Sequence, residues 1–451
     1  MRNYAGLATT IGLIGLASVG FGAIDLLMIA PKGIDQVAAV GLGDVITAGI
    51  SALFVIGIVD TFSGRLAIAE GSGSIARRLP ALAGALLLLV IPVQIVASLI
   101  ILGVEPALRL AGQSADVVPL TGDFVTVRGL SIGFSVVYAA LNEALKICGL
   151  KNKSLMLLVL GFGANAALNW LFLYTGAAEL FASPAAAVAA ATTAAQLLIA
   201  CGSLWLFLRA LRERADSFAK LSWSTSAAEA RSMARTAPGV GVRHFNDYSG
   251  TIARTMLLGT LGVRTLAAVT VAVKIWSLFC RIPQACVSST FVFYGYRLGE
   301  GEPDLSRTSR LLLRYAAVPT AAGAVLVAVF SPWLVAAFAD GQQDTELTRS
   351  LVLACLLTVP AYLLEHHFGE ILTVHQRGGL LALASTVTNY ALAIPLAAVA
   401  VFVWDSAVLA VAGALIPSAV LALVFWRAVR NGCWTRAEVS NADAANPGVR
   451  A

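Results

Sequence analysis

Residues 23–40 read AIDLLMIAPKGIDQVAAV, setting one carboxylate, Asp25, inside an apolar run that breaks at Pro31-Lys32-Gly33 before a second apolar run begins. An ionised Asp at the centre of a bilayer costs about 3 kcal/mol or more. Such a residue persists only where neighbouring spans shelter it. The rest of the chain is of the same kind: of 451 residues, 58% are hydrophobic and 12% charged, and the mean hydropathy is +0.83. Soluble domains carry about 25% charge. The deficit runs along the whole chain, which excludes a soluble domain with a single anchor and predicts an all-α, multi-spanning membrane protein.

A helix crossing about 30 Å of hydrocarbon needs roughly 20 apolar residues. Segments of that kind number twelve: 8–29, 37–60, 79–104, 121–146, 153–176, 183–211, 244–261, 265–292, 308–337, 348–373, 380–402 and 407–430. The longest connection divides them six and six. The expected organisation is an N-terminal lobe over 1–211, a linker over 212–243, a C-terminal lobe over 244–430 and a tail over 431–451. Basic residues such as Arg65, Arg77, Arg78, Lys151, Arg212, Arg243, Arg297, Arg310, Arg314, Arg427 and Arg430 gather on one side. The other side carries only Lys32, Arg109, Arg128, Arg264 and Arg349. The excess of Lys and Arg marks the cytoplasmic face. Both termini and the linker are therefore expected in the cytoplasm, with the chain in a bacterial inner membrane. The N-terminal MRNYAGLATTIGLIGL reads as a retained first helix rather than a signal peptide.

The net charge of +6 is spread between apolar segments; a nucleic-acid partner needs an organised basic surface, so none is expected. Cys148, Cys201, Cys280, Cys286, Cys355 and Cys433 are scattered without a CxxC, and neither a disulfide framework nor a structural zinc site is indicated. No nucleophile elbow, Walker loop or HExxH is present. The sequence therefore predicts neither an enzyme nor an ATP-driven machine, and no cofactor.

The opening stretch recurs. Residues 33–40, GIDQVAAV, and 262–269, GVRTLAAV, both fit G-x-x-x-[VL]-A-A-V at an offset of 262 − 33 = 229. The same offset carries Gly149 of CGLKN onto Gly378 of HQRGGL. Two six-span halves inserted in the same sense are expected to be related by a pseudo-twofold axis along the membrane normal, with a pathway between them.

In these pieces, and in NAALNWLFLYTG followed by AVAAATTAAQ across spans five and six, the chain resembles the multidrug and toxic compound extrusion (MATE) family. The resemblance covers nearly the whole chain. It implies a secondary transporter, working as a monomer among membrane lipids, that exports small molecules against H⁺ or Na⁺ entry by alternating access. It also implies a cation site made by a first-span Asp, two polar residues four apart on span five, and a Thr before a Gln on span six. Asp25, Asn165, Asn169 and Thr192, with Gln196 four residues on, match that pattern. Relatives often place Asp where Asn169 stands, and early span one lacks a proline.

At 1.5 Å per residue, Asp25, Asp44, Arg254 and Lys274 all lie in the outer half of their spans, with acids in the first half and bases in the second. Asp25 and Arg254 are repeat equivalents, since 25 + 229 = 254. They are candidates either for a structural pair or for a site whose pairing changes with the transport cycle, and Asp44, Arg254 and Lys274 are candidates for binding substrate. A deeper layer holds Asp247 in RHFNDYSG and Glu365, His366 and Glu370 in LLEHHFGEIL. His366 and Glu370 share a helix face and are candidates for a proton relay or for a structural polar cluster; no metal site is expected. The substrate readings left open are a lipophilic drug or toxin, an anionic or zwitterionic metabolite of siderophore- or metallophore-like chemistry, and a lipid-linked precursor moved by a flippase.

Overall fold

The computed structural model describes residues 2–110, 115–212, 222–261, 263–338 and 345–432, and among them every regular element is a helix. The first half contains α1 (Arg2–Ile29), α2 (Ile34–Ser51), α3 (Gly57–Gly71), α4 (Ile75–Leu102) and α5 (Val104–Leu110). It continues with α6 (Val117–Gly129), α7 (Ile132–Ile147), α8 (Lys151–Tyr174) and α9 (Pro184–Arg212). The second half holds α10 (Trp223–Gly259), α11 (Val263–Phe279), α12 (Arg281–Glu300), α13 (Leu305–Phe338) and α14 (Thr345–Leu357). It ends with α15 (Val359–Val374), α16 (Gly378–Thr388), α17 (Ile394–Phe402), α18 (Ala407–Ala412) and α19 (Leu415–Gly432).

Among the described residues, seven helical stretches are long and apolar enough to cross a membrane, and two bent pairs raise this to nine. The expected spans one, seven and eight are also helical, as α1, α10 and α11 with α12. Outward-facing Leu99, Leu102, Val325, Leu326, Trp333, Leu383 and Phe402 are all more than half exposed. An apolar exterior on this scale is the surface of a protein solvated by lipid.

Contacts divide the chain into two compact units, residues 13–241 and residues 1–12 with 242–451. Both boundaries fall inside helices, at Gly12 of α1 and Gly241 of α10, and 241 − 12 = 229 is the repeat offset. In the stretch expected as a linker, α10 is already helical from Trp223. Its polar composition hides an amphipathic surface: Glu229 receives Arg65 at 2.5 Å and Arg78 at 3.4 Å, while Ala230 and Met233 are buried. A helix of this kind is held by one face rather than by overall hydropathy. The close approach that follows requires glycine. A Cβ on Gly241 would stand 1.9 Å from the Leu53 carbonyl oxygen, and one on Gly57 would stand 2.3 Å from that of Ala237. Leu53 lies in a π turn, Ala52–Ile56, between α2 and α3.

Two spans bend at identifiable breaks. The α14–α15 pair turns by 41°, with Pro360 in the first turn of α15, where its missing N–H costs nothing. The α6–α7 pair turns by 48° without a proline. Here the Gln94 side chain of α4 closes the gap, donating to the Gly129 carbonyl at 3.0 Å and accepting from Gly133 N–H at 2.8 Å. A backbone left open at membrane depth costs several kcal/mol per group, and one amide satisfies both ends.

The repeat also needs a correction. α2 and α11 begin 263 − 34 = 229 residues apart, as expected, but α8 and α16 begin 378 − 151 = 227 apart. The left-handed residue that closes the preceding helix is Gly149 (φ 83°) in one half and Gln376 (φ 58°) in the other. Gly149 therefore corresponds to Gln376, not to Gly378. Two residues are missing from the second copy between these points, and the HQRGG sequence offers a glycine close enough to mislead.

Candidate functional site

The first cluster lies within the unit of residues 13–241. α1 presents Asp25, α8 presents Asn165 and Asn169 one turn apart, and α9 presents Thr192; all four side chains are buried. Asn169 Nδ2 donates to Asp25 Oδ1 at 2.7 Å, and Thr192 Oγ1 donates to Asp25 Oδ2 at 2.7 Å. Asn165 Nδ2 donates to Thr192 Oγ1 at 3.1 Å, and its Oδ1 accepts from Asn169 at 3.4 Å. One acceptor is left over: Asn169 Oδ1 is buried without a hydrogen-bond partner. A carboxylate oxygen accepts hydrogen bonds from such donors, and a buried polar atom without a partner is uncommon.

A residue that the sequence reading placed among the outer-surface charges belongs here. Arg128, in the last turn of α6, donates to Gln196 Oε1 at 3.0 Å and to Ser131 Oγ at 3.1 Å, and Ser135 Oγ donates to the same Gln196 oxygen. Its guanidinium interacts electrostatically with both Asp25 and Asp44. Asp44 is exposed and lies against Gly22, three residues before Asp25 on α1, with Oδ2 3.4 Å from where a Cβ would stand. Arg128 sits where the α6–α7 break brings it, and nothing in the local sequence announces a break held by a distant glutamine.

The second cluster lies within the unit of residues 1–12 and 242–451. Arg243 is 1% exposed and pairs with Glu370 at 3.5 Å, its guanidinium 5.8 Å from the centre of the Phe425 ring. Gly369 makes the room, since a Cβ there would meet Arg243 Nη2 at 2.5 Å. Counting Arg243 only as a loop charge that sets orientation missed this role. Glu365 is buried and interacts with Asp247 and Arg243, whereas Asp247 is exposed.

The His366–Glu370 pairing expected from helical spacing does not form. His366 Nδ1 donates to its own helix at the Tyr362 carbonyl, 3.0 Å away, and the ring lies 3.9 Å from the Tyr362 ring. Arg243 takes Glu370 instead, because a permanent cation outcompetes a neutral imidazole for a buried carboxylate. Arg254 is half-buried; the side chain of Lys274 lies outside the described residues. No group of three or more His, Cys, Asp or Glu side chains converges among the described residues.

A multi-pass helical protein with a fully hydrogen-bonded acid buried among its spans has the construction of a membrane transporter. The MatE family model matches residues 11–171 and 242–399, and the chain belongs to that family. Solved structures agree on the fold. The eukaryotic MATE transporter AtDTX14 superposes with a TM-score of 0.81 at 16% identity, over 98% of this chain and 97% of that one. A MOP superfamily transporter from Pyrococcus furiosus, whose reverse polarity of binding pocket is described as suggesting a different function, gives 0.80 at 17% identity over 96% of each chain. A multidrug resistance MATE family transporter in an outward-facing conformation gives 0.78 at 17% over 96% of each. A search of the curated proteins finds no match. The protein is thus a multi-pass membrane protein with the fold of the MATE exporters, a class that is generally not enzymatic.

Proposed function

We propose that the protein is an ion-coupled secondary exporter of small organic molecules, with twelve spans in two lobes and the Asp25 cluster as its cation site. The observation that carries this reading is the pairing of a satisfied carboxylate with the orphan oxygen Asn169 Oδ1. Protonation would turn one Asp25 oxygen into a donor. Rotation of the Asn169 amide then presents Oδ1 to accept that proton, so the cluster has one arrangement for each protonation state. Sodium would instead draw on the two carboxylate oxygens, the two amide oxygens and the Thr192 hydroxyl, the donor set that hard cations prefer. Either ion occupies the site at the expense of the internal hydrogen bonds. Release of the ion re-forms them.

Proteoliposomes test the reading. An imposed H⁺ or Na⁺ gradient drives substrate transport by the native chain, and Asp25→Asn abolishes the dependence on the gradient. Coupled transport that survives Asp25→Asn removes Asp25 from the mechanism.

A second reading concerns the substrate. Arg128 and Arg254 bring positive charge into the spans, and a relative of the same fold is described as having reversed pocket polarity. These favour an anionic or zwitterionic cargo, with Asp44, Arg254 and Lys274 as binding residues, over a simple lipophilic cation. Arg254→Ala then impairs anionic cargo more than cationic cargo. Scrambling of lipid-linked sugars without solute export would identify a flippase.

A further inference from the structure

A cavity of about 360 Å³, lined by none of the polar residues of either cluster, opens at the arginine-rich end of the unit formed by residues 1–12 and 242–451. The first turns of α13 line it with Ser306, Ser309 and Arg310, α15 with Phe368, and the last turns of α19 with Trp426 and Arg430. Its volume is that of a small-molecule site. Arg310 and Arg430 have no carboxylate partner among the described residues; Arg430 lies instead over the Trp426 ring, 5.5 Å from its centre. Two exposed guanidiniums converging on one cavity repel each other unless an anion stands between them.

The floor of the cavity offers a hydrogen-bond donor as well. Ser309 is buried, and its hydroxyl meets His367 Nε2 at 2.9 Å. His367 is fully buried and its Nδ1 has no partner. A buried N–H without an acceptor is the rarer and costlier orphan, which puts the proton of the neutral ring on Nε2. With that nitrogen donating to Ser309 Oγ, the hydroxyl hydrogen of this cavity-lining serine is free to be offered to a bound acceptor. Two cations and one available O–H suit a phosphate group.

Position supplies the source. α13 and α19 enter the bilayer here, and apolar Leu311, Val318 and Leu423 are exposed along the same two helices. Tryptophan at this level is an interfacial residue, and basic pockets between spans on the cytoplasmic side take anionic headgroups. We propose that this cavity binds the phosphate of an anionic phospholipid headgroup, with the acyl chains lying along α13 and α19. This inference is independent of the ion-coupling reading.

Purified protein in detergent, titrated with phosphatidylglycerol, phosphatidylcholine or soluble glycerol 3-phosphate and followed by native mass spectrometry, tests it. Phosphatidylglycerol is retained and raises the melting temperature, phosphatidylcholine is not retained, and glycerol 3-phosphate competes only weakly. The double change Arg310→Ala with Arg430→Ala weakens retention about thirtyfold, while Arg314→Ala, on the same helix outside the cavity, leaves it unchanged. Ser309→Ala weakens it about tenfold without touching a charge. Equal retention of both lipids, or undiminished phosphatidylglycerol binding by the double variant and by Ser309→Ala, overturns the site. Glycerol 3-phosphate binding as tightly as the lipid overturns the lipid assignment in favour of a soluble phosphate.

Discussion

α8 and the α16–α17 segment are the same element of the repeat, beginning 227 residues apart, yet their interiors are opposite. α8 carries Asn165 and Asn169 toward Asp25. The corresponding positions, 165 + 227 = 392 and 169 + 227 = 396, are Leu392 and Leu396, and the chain there loosens into a π turn at Asn389–Ala393. The acid of the first half, Asp25, takes its hydrogen bonds from neutral donors, with Arg128 acting on it electrostatically. The second half replaces it with Arg254 and balances its own buried charge as an ion pair, Arg243–Glu370. The two copies share the helical element but not the polar side chains along it. One half surrounds its buried acid with amide and hydroxyl donors, while the other pairs Glu370 directly with a buried arginine.

The largest effect that would break this contrast is at Arg243. Arg243→Ala leaves Glu370 and Glu365 without their buried cation and is expected to destabilise the protein by about 3–5 kcal/mol, read as a lowered melting temperature in detergent. An unchanged melting temperature would mean that the second cluster does not depend on fixed charge. Next comes Asn169→Leu, which makes α8 resemble its copy. It removes a donor from a buried carboxylate, costs about 1–3 kcal/mol, and abolishes gradient-driven transport in proteoliposomes. Retained coupling would show that the asymmetry between the two spans is incidental.

Gly241→Ala places a methyl against the Leu53 carbonyl and is expected to cost about 1–3 kcal/mol, measurable by the same melting experiment. A neutral result there would mean that α10 and the π turn separate freely. The smallest change runs the other way. Gln376→Gly gives the second half the left-handed glycine that the first half has at Gly149, and is expected to stabilise by about 1 kcal/mol or less. Destabilisation would show that the Gln376 side chain, which donates to the Thr373 carbonyl at 3.1 Å, outweighs the backbone strain.

Much of the first cluster was legible. Asn165 and Asn169 are four apart, Thr192 precedes Gln196 by four, and helical spacing puts each pair on one face. Arg128 was not legible, because its place depends on a bend closed by Gln94 from another span. The partner of Glu370 was not legible for a related reason: spacing says that His366 and Glu370 share a face, but not that Arg243 on another helix reaches the carboxylate.

Composition alone determined that this chain lives in lipid as helices, since a backbone without water must bond to itself. The recurring G-x-x-x-[VL]-A-A-V determined that the chain is built twice. Which buried groups meet was decided only by tertiary structure. A hydrogen bond or an ion pair is won by whichever partner packing brings within about 3 Å, and that distance is set by breaks, glycines and side chains hundreds of residues away along the chain.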